Sequence, residues 1–135
     1  MNMIVCLDDK DGMLFNRRRQ SADAAVCSRI LEIAEGKPLF MNGYSAKLFA
    51  DIDKIHIRED FLDKMESDDW AFVENCDVLP YLQSVKTLVI FRWNRIYPRD
   101  MVFPMAQLSS HFRKQETAKF PGASHDVITE ERYIL

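Results

Sequence analysis

The side chains in this sequence that could do chemistry are few and scattered. Cys6, Cys27 and Cys76 are far apart and form no CxxC pair for zinc or disulfide framework; each has apolar neighbours, so all three read as reduced core thiols. His56, His111 and His125 lack metal-ligand spacing, and His125, ahead of the last apolar run, reads as a turn residue. Asp9-Lys10-Asp11-Gly12 has the look of a calcium loop, but Leu7 stands at its first ligand position and Arg18 at its last, where a Glu is needed. The run Asn16-Arg17-Arg18-Arg19-Gln20 is the concentrated basic feature, suited to an anionic ligand or phosphate-bearing partner, with Asp8, Asp9 and Asp11 close by to blunt its field. Arg92, Trp93, Arg95, Tyr97 and Arg99 make a second basic-aromatic stretch, which stacking of an Arg on Trp93 explains without nucleic acid.

The elements that must position these residues follow from the apolar pattern. Met1 to Leu7 is a nearly continuous apolar run, a strand buried on both faces. Asp8 to Gln20 is polar and reads as a long loop. Ser21 is a good N-cap for a helix carrying Ala24, Cys27, Ile30, Leu31 and Ala34 on one face and stopped by Gly36 and Pro38. Pro38 to Met41, Lys54 to Ile57, Trp70 to Val73 and Lys86 to Trp93 read as strands, the last with TLVIF as the best central strand. Ser45 to Asp51, Glu59 to Ser67 and Asp77 to Gln83 read as short helices, Pro80 being tolerable only in a first turn. His111 to Phe120 and Asp126 to Leu135, separated by Pro121-Gly122, read as a closing antiparallel pair. The expected architecture is α/β in three layers, a mostly parallel sheet with helices on both faces and a C-terminal antiparallel hairpin.

The bulk numbers fit one domain over residues 1–135: 47% hydrophobic, 29% charged, long enough for a real core. A net charge of −3 argues against a sequence-independent grip on nucleic acid. The opening MNMIVCLDDKDG is too short and wrongly flanked for a signal peptide or membrane helix, so the expected location is the cytoplasm, without membrane association.

The order of elements and several strings resemble the dihydrofolate reductase family. IVCLDDKDGMLFN resembles its first strand and mobile loop, with Gly12-Met13 as the loop's Gly-hydrophobic step. GKPLFMNGYSAKLF resembles its second strand and cofactor helix, and IHIRED its third strand. LVIFRWNRIYPRDMVFP resembles its long central strand and following loop, Asp100 and Phe103-Pro104 matching a D-x-x-F-P ending. The resemblance implies a pterin-binding carboxylate at Asp23, cofactor-phosphate contacts at Ser45 and Arg58, and NADPH as the cofactor of any activity. It also marks departures. Gly43 replaces the family's phosphate-pairing Arg, Asn42 a Gly, and Glu74-Asn75 the Gly-Gly pair that admits the pyrophosphate. Phe91 replaces a hydroxyl directed at carboxylate and pterin.

The expected role is therefore a diverged dihydrofolate-reductase-like protein that lacks the standard reaction and binds a small ligand, nucleotide or partner. Two alternatives stand beside it: an NADPH-dependent reductase of a pterin-type heterocycle using Asp23, Ser45 and Arg58, and a domain binding RNA or another polyanion through Arg17–Arg19.

Overall fold

Alternating side chains on the first apolar run separate two cores, and the sheet is built outward from that run. The computed structural model describes residues 1–50, 52–108 and 110–135. In it Asn2–Leu7 (β1) pairs in parallel with Trp70–Phe72 (β6) on one side and Thr87–Arg92 (β7) on the other. Leu39–Met41 (β4) and Ile55–Ile57 (β5) extend the parallel sheet beyond β6. Ile128–Ile134 (β10) adds antiparallel to β7, and Arg113–Phe120 (β9) adds antiparallel to β10. The described strands give a seven-stranded sheet in the order β5-β4-β6-β1-β7-β10-β9. This is the mostly parallel sheet with a closing antiparallel hairpin that the sequence pattern predicts. The middle strand is β1, and the TLVIF strand lies beside it.

On one face, Ala24–Ile33 (α1) buries Val26 and Ile30 against Ile4, Val89 and Phe91. Gly36 follows at φ 78, the left-handed conformation that ends a helix most cheaply with glycine. The helix starts two residues later than Ser21 predicts, because the Asp23 side chain accepts the Ala25 N–H and caps it. A single turn, Gly43–Ala46 (α2), adds Ala46 to the same core.

The opposite face is covered differently from the expected helix layer. Residues Phe61–Lys64 and Leu79–Ser84 are 3₁₀ turns, burying Phe61, Leu62 and Leu82 against Met3, Val5 and Leu7. The helix predicted over Glu59 to Ser67 stops because Met65 is extended and Asp69 takes the Glu66 N–H into a turn of its own. Pro80 stands in the first turn of the second segment, where its missing N–H costs nothing. The end predicted at Asp51 for the Ser45 helix lies outside the described residues.

The expected loop over Asp8 to Gln20 is also revised. It folds into Gly12–Phe15 (β2) and Arg18–Arg19 (β3), with Met101–Val102 (β8) pairing on β2. Asn16 and Arg17 both hold positive φ, 56 and 62, which is the two-residue hairpin turn whose twist matches the flanking strands.

Candidate functional site

Asp23 is built into the fold more tightly than any other carboxylate that the resemblance marks. Its side chain is fully buried, yet it accepts from the backbone N–H groups of Ala25 at 2.8 Å, Ala123 at 2.9 Å and Ser124 at 2.9 Å. Ser124 Oγ adds a bond at 3.2 Å, and His125 Nδ1 lies 2.9 Å from Oδ2. Burial alone pushes a carboxyl toward neutrality; here the donors of Ala123, His125, Ser124 and Ala25 outweigh it and hold Asp23 well below the usual carboxylate range. Gly122 permits this approach, since a Cβ there would meet His125 O at 2.5 Å and Asp23 Oδ2 at 2.7 Å. Thus the loop before β10 closes onto the start of α1.

The Asp23 carboxylate beside Nδ1 favours the tautomer that carries its proton there, which in the neutral ring leaves Nε2 as an acceptor. That nitrogen faces Ser21 Oγ at 2.8 Å and the Tyr97 hydroxyl at 3.4 Å. The imidazole is stacked on Trp93, centroids 4.8 Å apart and planes 20° apart. Trp93 therefore stacks on His125, where the sequence suggests an Arg.

Ser45 is buried and donates its hydroxyl to Glu74 Oε1 at 2.8 Å, while its N–H goes to Asn42 Oδ1. Glu74 also receives Arg19 Nε at 2.9 Å and Nη2 at 3.1 Å. Arg19 lies over the Tyr44 ring, 4.2 Å from its centroid. A hairpin arginine, a carboxylate from the end of β6 and a hydroxyl from α2 thereby form one closed network. The neighbouring Gly43 N–H is taken by Glu59 Oε2 at 2.9 Å. Arg58 points elsewhere: half exposed, it pairs with Asp60 at 2.9 Å. The structure therefore places Asp23, Ser45 and Arg58 in three separate hydrogen-bond networks.

Phe91 is fully buried and packs edge-on against Phe120 in the core beneath α1. Between α1 and the sheet lies a narrow crevice with room for little more than one water molecule, lined by Ser21, Asp23, Cys27, Phe72, Glu74 and Trp93 among others. Burial raises the Cys6 thiol far above its ordinary value and Cys27 to about 11, so both are inert neighbours there. The three cysteines are free thiols, each partly buried.

A wider cavity of about 530 Å³ opens under the hairpin, lined by Phe15, Asn16, Arg18, Arg19, Gln20, Tyr97 and Pro98. Two of its lining residues are held by Asp8, which accepts from Gln20 Nε2 and the Tyr97 N–H as well as from the N–H groups of Lys10 and Gly12. Burial opposes the charge on Asp8, but the Gly12, Tyr97 and Lys10 donors hold its carboxyl below the usual value. Arg92 is held by Asp11 at 2.6 Å and Glu131 at 3.1 Å, which removes it from the basic-aromatic stretch as a surface charge.

Sequence reasoning marks Asp23, Glu74, Ser45, Arg19, Ser21 and His125 one by one but misses how they pair. The pairings carry no local signal, since the fold brings together distant segments: Arg19 with Glu74 across 55 positions, Ser21 with His125 across 104.

No family model matches this chain, and no curated protein sequence matches it. Among solved structures it is similar to dihydrofolate reductase from Enterococcus faecalis complexed with NADP(H) and RAB-propyl, at a TM-score of 0.68 and 11% identity, over 98% of this chain and 94% of that one. At that identity, with the strand order and closing hairpin described above, the likeness establishes the fold: this chain has a dihydrofolate-reductase-like fold.

Proposed function

We propose that this domain keeps the dihydrofolate-reductase-like scaffold without the NADPH-dependent reduction of dihydrofolate, and binds a small anionic ligand beneath the arginine hairpin. One observation carries the reading. The Glu74 carboxylate stands where the resemblance implies a glycine beside the cofactor pyrophosphate, and it already holds both Ser45 Oγ and Arg19. A pyrophosphate there would meet a buried negative charge in place of free donors. Glu59 on the Gly43 N–H and Asp60 on Arg58 repeat the pattern, each phosphate contact being satisfied by a carboxylate of the chain itself.

The cavity under the hairpin is the better ligand site. Arg18 supplies positive charge at its rim, and Phe15 and Tyr97 supply flat apolar surface, a combination suited to a mononucleotide or an aromatic acid. With Arg19 and Arg92 committed to internal carboxylates, the hairpin offers less to a long polyanion than its sequence suggests.

Thermal denaturation tests the reading. AMP at millimolar concentration is expected to raise the melting temperature, since a ligand that binds the folded state alone stabilises it, and Arg18→Ala to abolish the rise. NADPH is expected to give no shift and no oxidation in the presence of dihydrofolate. A rise with NADPH that survives Arg18→Ala, accompanied by turnover, would favour the reductase alternative, which the NADP(H)-bound structural neighbour supports.

A further inference from the structure

We infer that Ser21, His125 and Asp23 form a nucleophilic site for the hydrolysis of short-chain esters, an activity separate from ligand binding under the hairpin. Activating a serine hydroxyl takes a base within hydrogen-bond reach and a third group that fixes the base's tautomer and orientation. Here His125 Nε2 is 2.8 Å from Ser21 Oγ, and His125 Nδ1 is 2.9 Å from Asp23 Oδ2. The order of roles along the bonds, hydroxyl to imidazole to buried carboxylate, is the one such chemistry requires.

The surroundings hold that geometry in place. Asp23 is immobilised by the backbone N–H groups of Ala25, Ala123 and Ser124, and the imidazole is stacked on the Trp93 ring. Cap and loop stability alone explains the bonds to Asp23. It does not explain why the far nitrogen of the buried ring is aimed at a partly exposed hydroxyl, with a phenol from Tyr97 beside it. Ser21 also lines the narrow apolar crevice, which has room for little more than one water molecule. A crevice that narrow favours the smallest acyl groups over long chains.

The step balances with water as the second reactant. Ser21 Oγ adds to the ester carbonyl carbon as its proton passes to His125 Nε2. Collapse breaks the bond to the alcohol oxygen, which takes that proton and leaves. Water, losing a proton to Nε2, then adds to the acyl-serine; collapse frees the carboxylic acid and returns the proton to Ser21 Oγ. Ser21 and His125 are the catalytic residues, and Asp23 is a positioning residue.

The test uses the full chain with p-nitrophenyl acetate and p-nitrophenyl octanoate, and separately a fluorophosphonate probe read by peptide mass spectrometry. The expected results are hydrolysis of the acetate in preference to the octanoate, loss of at least 100-fold in Ser21→Ala, and an adduct on the peptide carrying Ser21. Asp23→Asn is expected to lower kcat at unchanged KM and to alter the pH–rate profile, which a purely structural role for the carboxylate would leave alone. Equal acetate hydrolysis by the wild type and a folded Ser21→Ala variant overturns the inference. So does a wild-type chain that takes no probe on Ser21. Neither result depends on whether AMP binds under the hairpin.

Discussion

A single carboxylate at position 23 caps a helix, closes a loop and orients an imidazole, and its two oxygens leave none of these tasks independent. Replacing Asp23 by Ala strands the Ala123 and Ser124 N–H groups and removes the α1 cap, at an expected cost of about 2–4 kcal/mol in urea unfolding at neutral pH. The pH dependence has a definite sign. The folded carboxyl is held below its ordinary value near 3.8, so its contribution is complete above that value and is lost as pH falls further. Asp8, depressed in the same direction, adds to the acid lability. Urea midpoints are therefore expected to drop on going from pH 6 to about pH 3, and to drop less in Asp23→Asn. A midpoint gap between the two proteins that widened in acid would contradict this. Of the residue-level picture, the sequence discloses that position 23 holds a carboxylate at a helix start and that Glu74 stands where the resemblance implies a glycine. The donors that fill both carboxylates come from segments that only the sheet brings near.

Elements with a strong period or a strong stop signal are legible in the sequence; those made by local hydrogen bonds are not. The apolar runs give the inner strands of the large sheet, the mixed runs around Pro121-Gly122 give its closing pair, and Gly36 marks the end of α1 because its φ of 78 suits glycine. No atom lies within 4 Å of a Cβ built at Gly36, so Gly36→Ala tests backbone strain without a packing component. The expected loss is about 1 kcal/mol, seen as a fall of a few degrees in melting temperature. An unchanged or higher melting temperature would show that the turn accepts a side chain. By contrast, the hairpin over residues 12–19 turns on Asn16-Arg17, a pair without the glycine that usually announces such a turn. The 3₁₀ turns also escape periodicity, since four to six residues do not complete an amphipathic face.

At the scale of the molecule, the two outer strands of the large sheet are protected in different ways. β5 has three residues and offers little to pair with, whereas β9 has eight, nearly all exposed, and carries Arg113, Lys114, Glu116 and Lys119. Charge along an edge discourages further strand addition. Replacing Lys114 and Lys119 by Val is expected to cause concentration-dependent association in sedimentation velocity, and a double variant that sediments as the wild type would assign the protection to something else. The mostly parallel sheet and its closing hairpin were legible because strand–helix alternation gives way to two strands joined by a turn. The thinning of one helical layer to 3₁₀ turns was not, because length and composition leave that choice to packing. The placement of β10 between β7 and β9 bears on how the chain is made. Until Ile128–Ile134 has left the ribosome, β7 keeps a bare hydrogen-bonding edge and Asp23 lacks its partners from Ala123 to His125. A nascent chain of the first 120 residues is thus a natural client for chaperones and proteases, and the fold closes only after these late segments are synthesised.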